Sequence, residues 1–151
     1  MATLEIRGLN KSFSHGREQR QVLRDIDLTL HDNEFVSLVG TSGCGKSTLL
    51  SIAAGLEGFD SGQVLVDGEP IRGAGLDRGV VFQSYTLLPW LNARQNIEFA
   101  LKAAGHSRGD CRRITDEHLE LVGLADYASA YPTELSGGMK QRVAIARALS
   151  Y

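Results

Sequence analysis

The stretch Gly40-Thr41-Ser42-Gly43-Cys44-Gly45-Lys46-Ser47-Thr48 decides how this chain is read. It fits a pattern of glycine, four residues, glycine, lysine, then serine or threonine. Before it stands Phe35-Val36-Ser37-Leu38-Val39, a short apolar run of buried-strand character. After it come Leu49-Leu50-Ser51-Ile52-Ala53-Ala54, good helix material closed by Gly55. A strand, a glycine-rich turn and a helix in that order make a phosphate site.

The chemistry follows from the residue types. Gly43 and Gly45 lack a β-carbon, so the backbone can turn tightly and aim several N–H groups at one anion. The helix beginning near Gly45 adds its unpaired amides and the positive end of its dipole. Lys46 supplies a mobile cation for the β- and γ-phosphates. Ser47 offers a hydroxyl to a magnesium ion that keeps most of its waters.

The 151 residues suffice for one modest domain. With 42% hydrophobic and 23% charged residues and a formal net charge of −2, the composition is that of a soluble globular protein. The charge argues against nonspecific nucleic-acid binding, so no nucleic-acid partner is expected. No apolar stretch approaches the roughly 20 residues of a membrane span. Met1 to Glu5 shows no basic region leading into an apolar core, and a cytoplasmic location is expected. Cys44 and Cys111 are too few for a disulfide framework. The four histidines, His15, His31, His106 and His118, form no spaced metal cluster and read as surface residues.

Periodicity organises the rest. Leu4 to Leu9 and Val22 to Leu30 alternate apolar and polar residues, as half-buried antiparallel strands do, with Ser14 to Arg20 as a loop between them. Gln63 to Val66, followed by Asp67-Gly68, predicts a strand entering a hairpin turn. Gly79 to Phe82 reads as a short buried strand ending at Gln83. From Asn92 the texture is helical: Asn92 caps a helix with Ala93, Ile97, Ala100, Leu101 and Ala104 on one face, stopped by Gly105. A second helix could start at Thr115, but Asp110 aligns Cys111, Ile114, His118, Leu121 and Val122 in one stripe, ended by Gly123. A last helix from about Gly138 places Met139, Val143, Ala146 and Leu149 together.

Leu135-Ser136-Gly137-Gly138-Met139-Lys140-Gln141-Arg142 is the second informative block. Alone, Ser-Gly-Gly before a helix is a capped helix start. It also repeats the logic of the first motif: a hydroxyl, compact glycines and a helix N-terminus can hold an anion.

With both blocks in view, the chain resembles the nucleotide-binding subunit of an ATP-binding cassette (ABC) transporter. Gly40 to Thr48 matches that family's Walker A loop, Gln83 its Q-loop glutamine, and Leu135 to Met139 its signature motif, where Met139 replaces the usual glutamine. Phe13 falls where the family places an aromatic against adenine; it could equally be a strand-end core residue. Asp77 to Gln83, with Leu87-Leu88-Pro89-Trp90, is similar to ATPase subunits of taurine, aliphatic sulfonate and nitrate importers.

The resemblance implies an α/β P-loop NTPase fold of the ABC type with an antiparallel β subdomain and a helical subdomain, C-terminally incomplete. Residues 1–91 would form the ATP-binding core with the β subdomain, 92–137 the helical subdomain, and 138–151 the signature helix. ATP and magnesium are the implied cofactors. Gly40, Thr41, Ser42, Gly43, Cys44, Gly45, Lys46, Ser47, Thr48, Ser136, Gly137, Gly138 and Phe13 would bind nucleotide. Lys46 and Gln83 would act in catalysis, and Ser47 and Gln83 at the metal. Two copies would pack head to tail, each ATP held between the Lys46 loop of one and Ser136 to Gly138 of the other. Leu87 to Trp90 would face a membrane permease subunit, with a periplasmic or extracellular solute-binding protein as indirect partner. That places the protein on the inner face of the membrane.

The family's Walker B aspartate, its neighbouring glutamate and a later histidine have no counterpart in residues 1–151. A hydrolysis-deficient N-terminal part of a cassette is therefore expected. A nucleotide-binding module without catalysis and a soluble ABC ATPase not tied to transport are the alternatives.

Overall fold

A computed structural model describes residues 3–16 and 18–151. The chain divides into two compact units, Met1–Arg78 and Gly79–Tyr151. Each has its own apolar cluster. The fold is α/β, with an antiparallel sheet and one helix in the first unit and three helices in the second among the described residues.

In the first unit the alternating runs become β1 (Leu4–His15) and β2 (Glu18–Leu30), antiparallel, with Leu4 opposite Leu30 and Ile6 opposite Leu28. On the other side of β1 lies β3 (Ser61–Val66), with Ile6 opposite Val64. β4 (Glu69–Pro70) completes the order β2-β1-β3-β4. Asp67 and Gly68, at φ 52° and 81°, form the expected two-residue turn between β3 and β4. Ile6 and Leu9 are both fully buried although three positions apart. A register shift between them makes this possible, since one extra residue reverses which face the later side chains occupy. The bulge is held by the Asp27 carboxylate, accepting from Gly8 N–H at 2.7 Å, and by Asn10 Oδ1, accepting from Asp25 N–H at 3.0 Å. The helix α1 (Lys46–Ala53) then lays Leu49 and Ile52 into a core of Ile6, Leu9, Leu23 and Val64.

Three expectations for strands and loops need correction. The loop expected over Ser14 to Arg20 is largely strand: Phe13 pairs with Arg20, Ser14 with Gln19 and His15 with Glu18. Gly16 turns the chain at φ 63°, and residue 17 lies outside the described residues. Polar side chains on a solvated ladder do not stop strand pairing. Conversely, neither Phe35 to Val39 nor Gly79 to Phe82 is a strand. A strand exists through the N–H and C=O groups of a neighbour, and among the described residues neither run has one. Phe35 and Val39 are consequently 92% and 93% exposed.

The second unit packs α2 (Ala93–Ala103), α3 (Arg108–Leu121) and α4 (Gly137–Leu149), with 3-10 turns at Ala125–Tyr127 and Pro132–Glu134. Ala93, Ile97, Leu101, Cys111, Leu119, Leu124, Leu135, Val143 and Ala146 form its core. Asn92 caps α2 as expected: its side chain accepts from Gln95 N–H at 2.8 Å while Gln95 Oε1 accepts from Asn92 N–H at 3.0 Å. Gly105 follows α2 at φ 88°.

For α3 the cap is Ser107, accepting from Asp110 N–H, so the helix begins before both anticipated starts. Its buried residues are Cys111, Thr115 and Leu119, and Leu121 is exposed. His118 is half-buried, its Nδ1 at 2.8 Å from Ile114 O and its Nε2 at 3.2 Å from Leu149 O, so it ties α3 to α4. Likewise Leu149 faces outward on α4, where Ala144 is buried instead.

One buried polar side chain organises the approach to α2. Asn96 accepts from Leu88 N–H at 2.8 Å through Oδ1. Its Nδ2 donates to the carbonyls of Leu88, Leu91 and Asn92 at 3.2, 2.9 and 3.0 Å. The amide therefore holds the turn from Leu88 to Asn92 together with the backbone bond from Leu91 N–H to Leu88 O at 3.1 Å. Replacing Asn96 with alanine removes this partner from Leu88 N–H and Leu91 O, whereas Leu88 O and Asn92 O keep their backbone donors. The substitution is expected to cost about 2–3 kcal/mol, read as a lower urea midpoint of the helical CD signal.

Candidate functional site

The first candidate site is the Gly40 to Thr48 loop and the start of α1. Gly43 and Gly45 stand at φ 79° and 97°, the left-handed region that glycine alone takes without strain. Gly45 is also buried, and a Cβ there would lie 2.9 Å from Leu23 Cδ2 and 3.0 Å from Val22 O. A Cβ on Gly40 would meet Cys44 Sγ at 2.7 Å. Backbone conformation and close approach thus both require glycine. The first backbone bond of α1 runs from Leu49 N–H to Gly45 O at 2.9 Å. This leaves the amides of Lys46, Ser47 and Thr48 without intrahelical acceptors.

Lys46 is folded over the loop. Its Nζ donates to Gly40 O and Thr41 O, both at 2.8 Å, and lies 3.5 Å from Cys44 Sγ. A cation, free amides and a Cβ-free wall converge on one exposed turn, an arrangement that fits a polyphosphate. Ser47, in the first turn of α1, is exposed, so its hydroxyl can enter the shell of a hydrated magnesium ion.

The second candidate site lies in the other unit, at the start of α4. Ser136 is its N-cap, accepting from Met139 N–H at 3.3 Å, and Lys140 N–H bonds Ser136 O at 2.9 Å. The amides of Gly137 and Gly138 therefore have no acceptor within the helix. Ser136, Gly137 and Gly138 are all exposed. Gln83 is exposed too, on an irregular segment instead of at a strand end. Two residues later, Tyr85 and Thr86 stand at φ 63° and 47°, which is costly for side chains with a Cβ.

Arg147 of α4 stabilises that turn. Its guanidinium donates to Thr86 O at 2.8 Å, Tyr85 O at 3.2 Å and Thr86 Oγ1 at 2.8 Å. Burial pulls the Arg147 pKa below its ordinary value, although arginine stays charged. Neither Arg147 nor Tyr85 stood out in the sequence, because nothing in a helical arginine announces a distant backbone partner.

The remaining expected residues are placed as follows. Phe13 sits near the hairpin end of β1, 42% exposed, with Lys11 Nζ 4.7 Å from its ring centroid. It is therefore no core residue, and a cation faces its ring. Trp90 is 69% exposed and is not part of either apolar core. Among the described residues no helix is long and apolar enough to cross a membrane.

A family model described as ABC transporter matches residues 23–151. The chain belongs to the ABC transporter family. It is 50% identical over 147 residues to the nitrate import ATP-binding protein NrtD of Synechocystis, an alignment covering 97% of this chain and 55% of that protein. To the aliphatic sulfonates import ATP-binding protein SsuB of Bacillus licheniformis it is 46% identical over 149 residues, covering 97% and 56%. The chain thus spans about half the length of these curated relatives. Among solved structures, the ATP-binding cassette MJ0796, described as a dimeric post-hydrolysis state bound to ADP and Pi, superposes with TM-score 0.88 at 34% identity. That match covers 97% of this chain and 69% of the other.

Gly45 provides a direct test of the loop geometry. Gly45→Ala adds left-handed strain and a contact against Val22 O that backbone cannot relieve. A loss of about 2–3 kcal/mol is expected in urea unfolding of the first unit, together with weaker ATP binding by fluorescence titration.

Proposed function

We propose that this chain is the ATP-binding part of an ABC importer for a small oxyanion-type solute of the taurine, alkanesulfonate or nitrate class. One observation carries the reading. Two glycine-lined helix starts, Gly45-Lys46 and Ser136 to Gly138, leave amides without helical acceptors in one family member. The substrate class rests on the similarity to importer ATP-binding proteins for nitrate and aliphatic sulfonates.

In this reading the loop amides and Lys46 receive the β- and γ-phosphates, and Lys46 exchanges its two carbonyl acceptors for phosphate oxygens. Ser47 gives its hydroxyl to magnesium, which would neutralise phosphate charge when bound. Gln83 presents its amide toward the metal shell or the attacking water, and Phe13 packs on the adenine. A second copy supplies Ser136, Gly137 and Gly138 from the other side, so one isologous pairing completes two sites. The dimeric state described for the MJ0796 cassette supports that arrangement. Exposed Trp90, with Leu87 and Leu88 beside it, suits docking onto a permease subunit at the inner membrane face. A solute-binding protein would act through that permease.

Lys46 and the loop amides stabilise charge but do not orient a water. Residues 1–151 are accordingly expected to hold ATP with little turnover by themselves. Lys46→Ala should weaken ATP binding about tenfold to a hundredfold, as a lost charge-assisted contact would. Equilibrium titration of both forms checks this. Equal affinity would remove the assigned site, and turnover by the 151-residue chain that Lys46→Ala abolishes would overturn the hydrolysis-deficient reading.

A further inference from the structure

The left-handed pair Tyr85-Thr86 and the start of α4 belong to one unit, and their relation goes beyond the two motifs. A Cβ placed on Gly137 would stand 3.3 Å from the Tyr85 hydroxyl oxygen. The phenol therefore lies beside the helix start whose Gly137 and Gly138 amides lack helical acceptors. Among the described residues that hydroxyl has no hydrogen-bond partner, while the ring is half-buried. Its backbone is not free to relax, since Arg147 spans Tyr85 O, Thr86 O and Thr86 Oγ1. Strain of this kind persists only where surrounding contacts impose it, and it clusters at working sites.

We propose that Tyr85 is a further ligand-facing residue of the Ser136 to Gly138 site. Its hydroxyl donates to a phosphate oxygen received there, and Arg147 is the residue that positions it. This rests on the nucleotide reading of that site and adds a side-chain donor to the backbone amides. A phenol O–H donates a hydrogen bond without bringing a formal charge to the site. A compact residue at position 137 is then required twice, to let an anion reach the amides and to leave room for the phenol.

The test uses the 151-residue chain with magnesium and ATP as the probe, and reads ATP-dependent association by sedimentation. Tyr85→Phe keeps the ring and removes only the donor, so its urea midpoint should match the wild type. Its dimer dissociation constant in ATP should rise by about tenfold to a hundredfold, the range for one lost hydrogen bond to a charged group. Arg147→Lys keeps the charge but cannot span three acceptors, and should give a loss of the same order. Wild-type association in ATP with Tyr85→Phe indistinguishable from it would overturn the role of Tyr85 and leave the nucleotide reading standing. Absence of ATP-dependent association in the wild type, or no effect of Ser136→Ala, would overturn both together. An undiminished Arg147→Lys would remove Arg147 as the positioning residue.

Discussion

The backbone at the start of α1 is the constraint on which the first unit's chemistry depends. Gly45 is at once left-handed, buried and pressed against Leu23 and Val22. The same Leu23 belongs to the core that Leu49 and Ile52 enter from α1. The sheet therefore fixes the helix, and the helix fixes the direction of its free amides. A change in the core of β2 would be transmitted to the loop through one glycine, with no contact to any ligand.

The second unit solves a similar problem with side chains. Segments that lack a strand partner still carry amides and carbonyls to be satisfied. Asn96 does this for Leu88 to Asn92, and Arg147 does it for Tyr85 and Thr86. The stretch between Gln83 and α2 is consequently ordered by two polar side chains anchored on helices. Both anchors are rigid because their helices share the Ile97, Leu101 and Val143 core.

The contrast between what the residues announced and what they did not is physical. The hairpin at Asp67-Gly68, the capping box at Asn92 and the glycines of the loop are local, so neighbouring residues suffice to read them. Phe35 to Val39 reads as a strand because its apolarity is local, yet strand formation is a property of pairs. The start of α3 was hidden by Gly109 and by the charged Arg108 and Asp110, which mask the Ser107 cap. The residues of the first motif are contiguous, running from the loop at Gly40 into the first turn of α1. Tyr85 and Arg147 are 62 positions apart and become neighbours only in the folded unit.

The posture of Lys46 has a consequence for ligand entry. Its ammonium already spans two carbonyls of the turn, so the loop keeps its curvature through an internal ionic tether. An arriving anion faces a ready-made cradle and performs an exchange of partners in it. Shape is thereby conserved across the event while charge is redistributed. Weakly basic guests that cannot outcompete two carbonyl dipoles would be turned away without any moving gate.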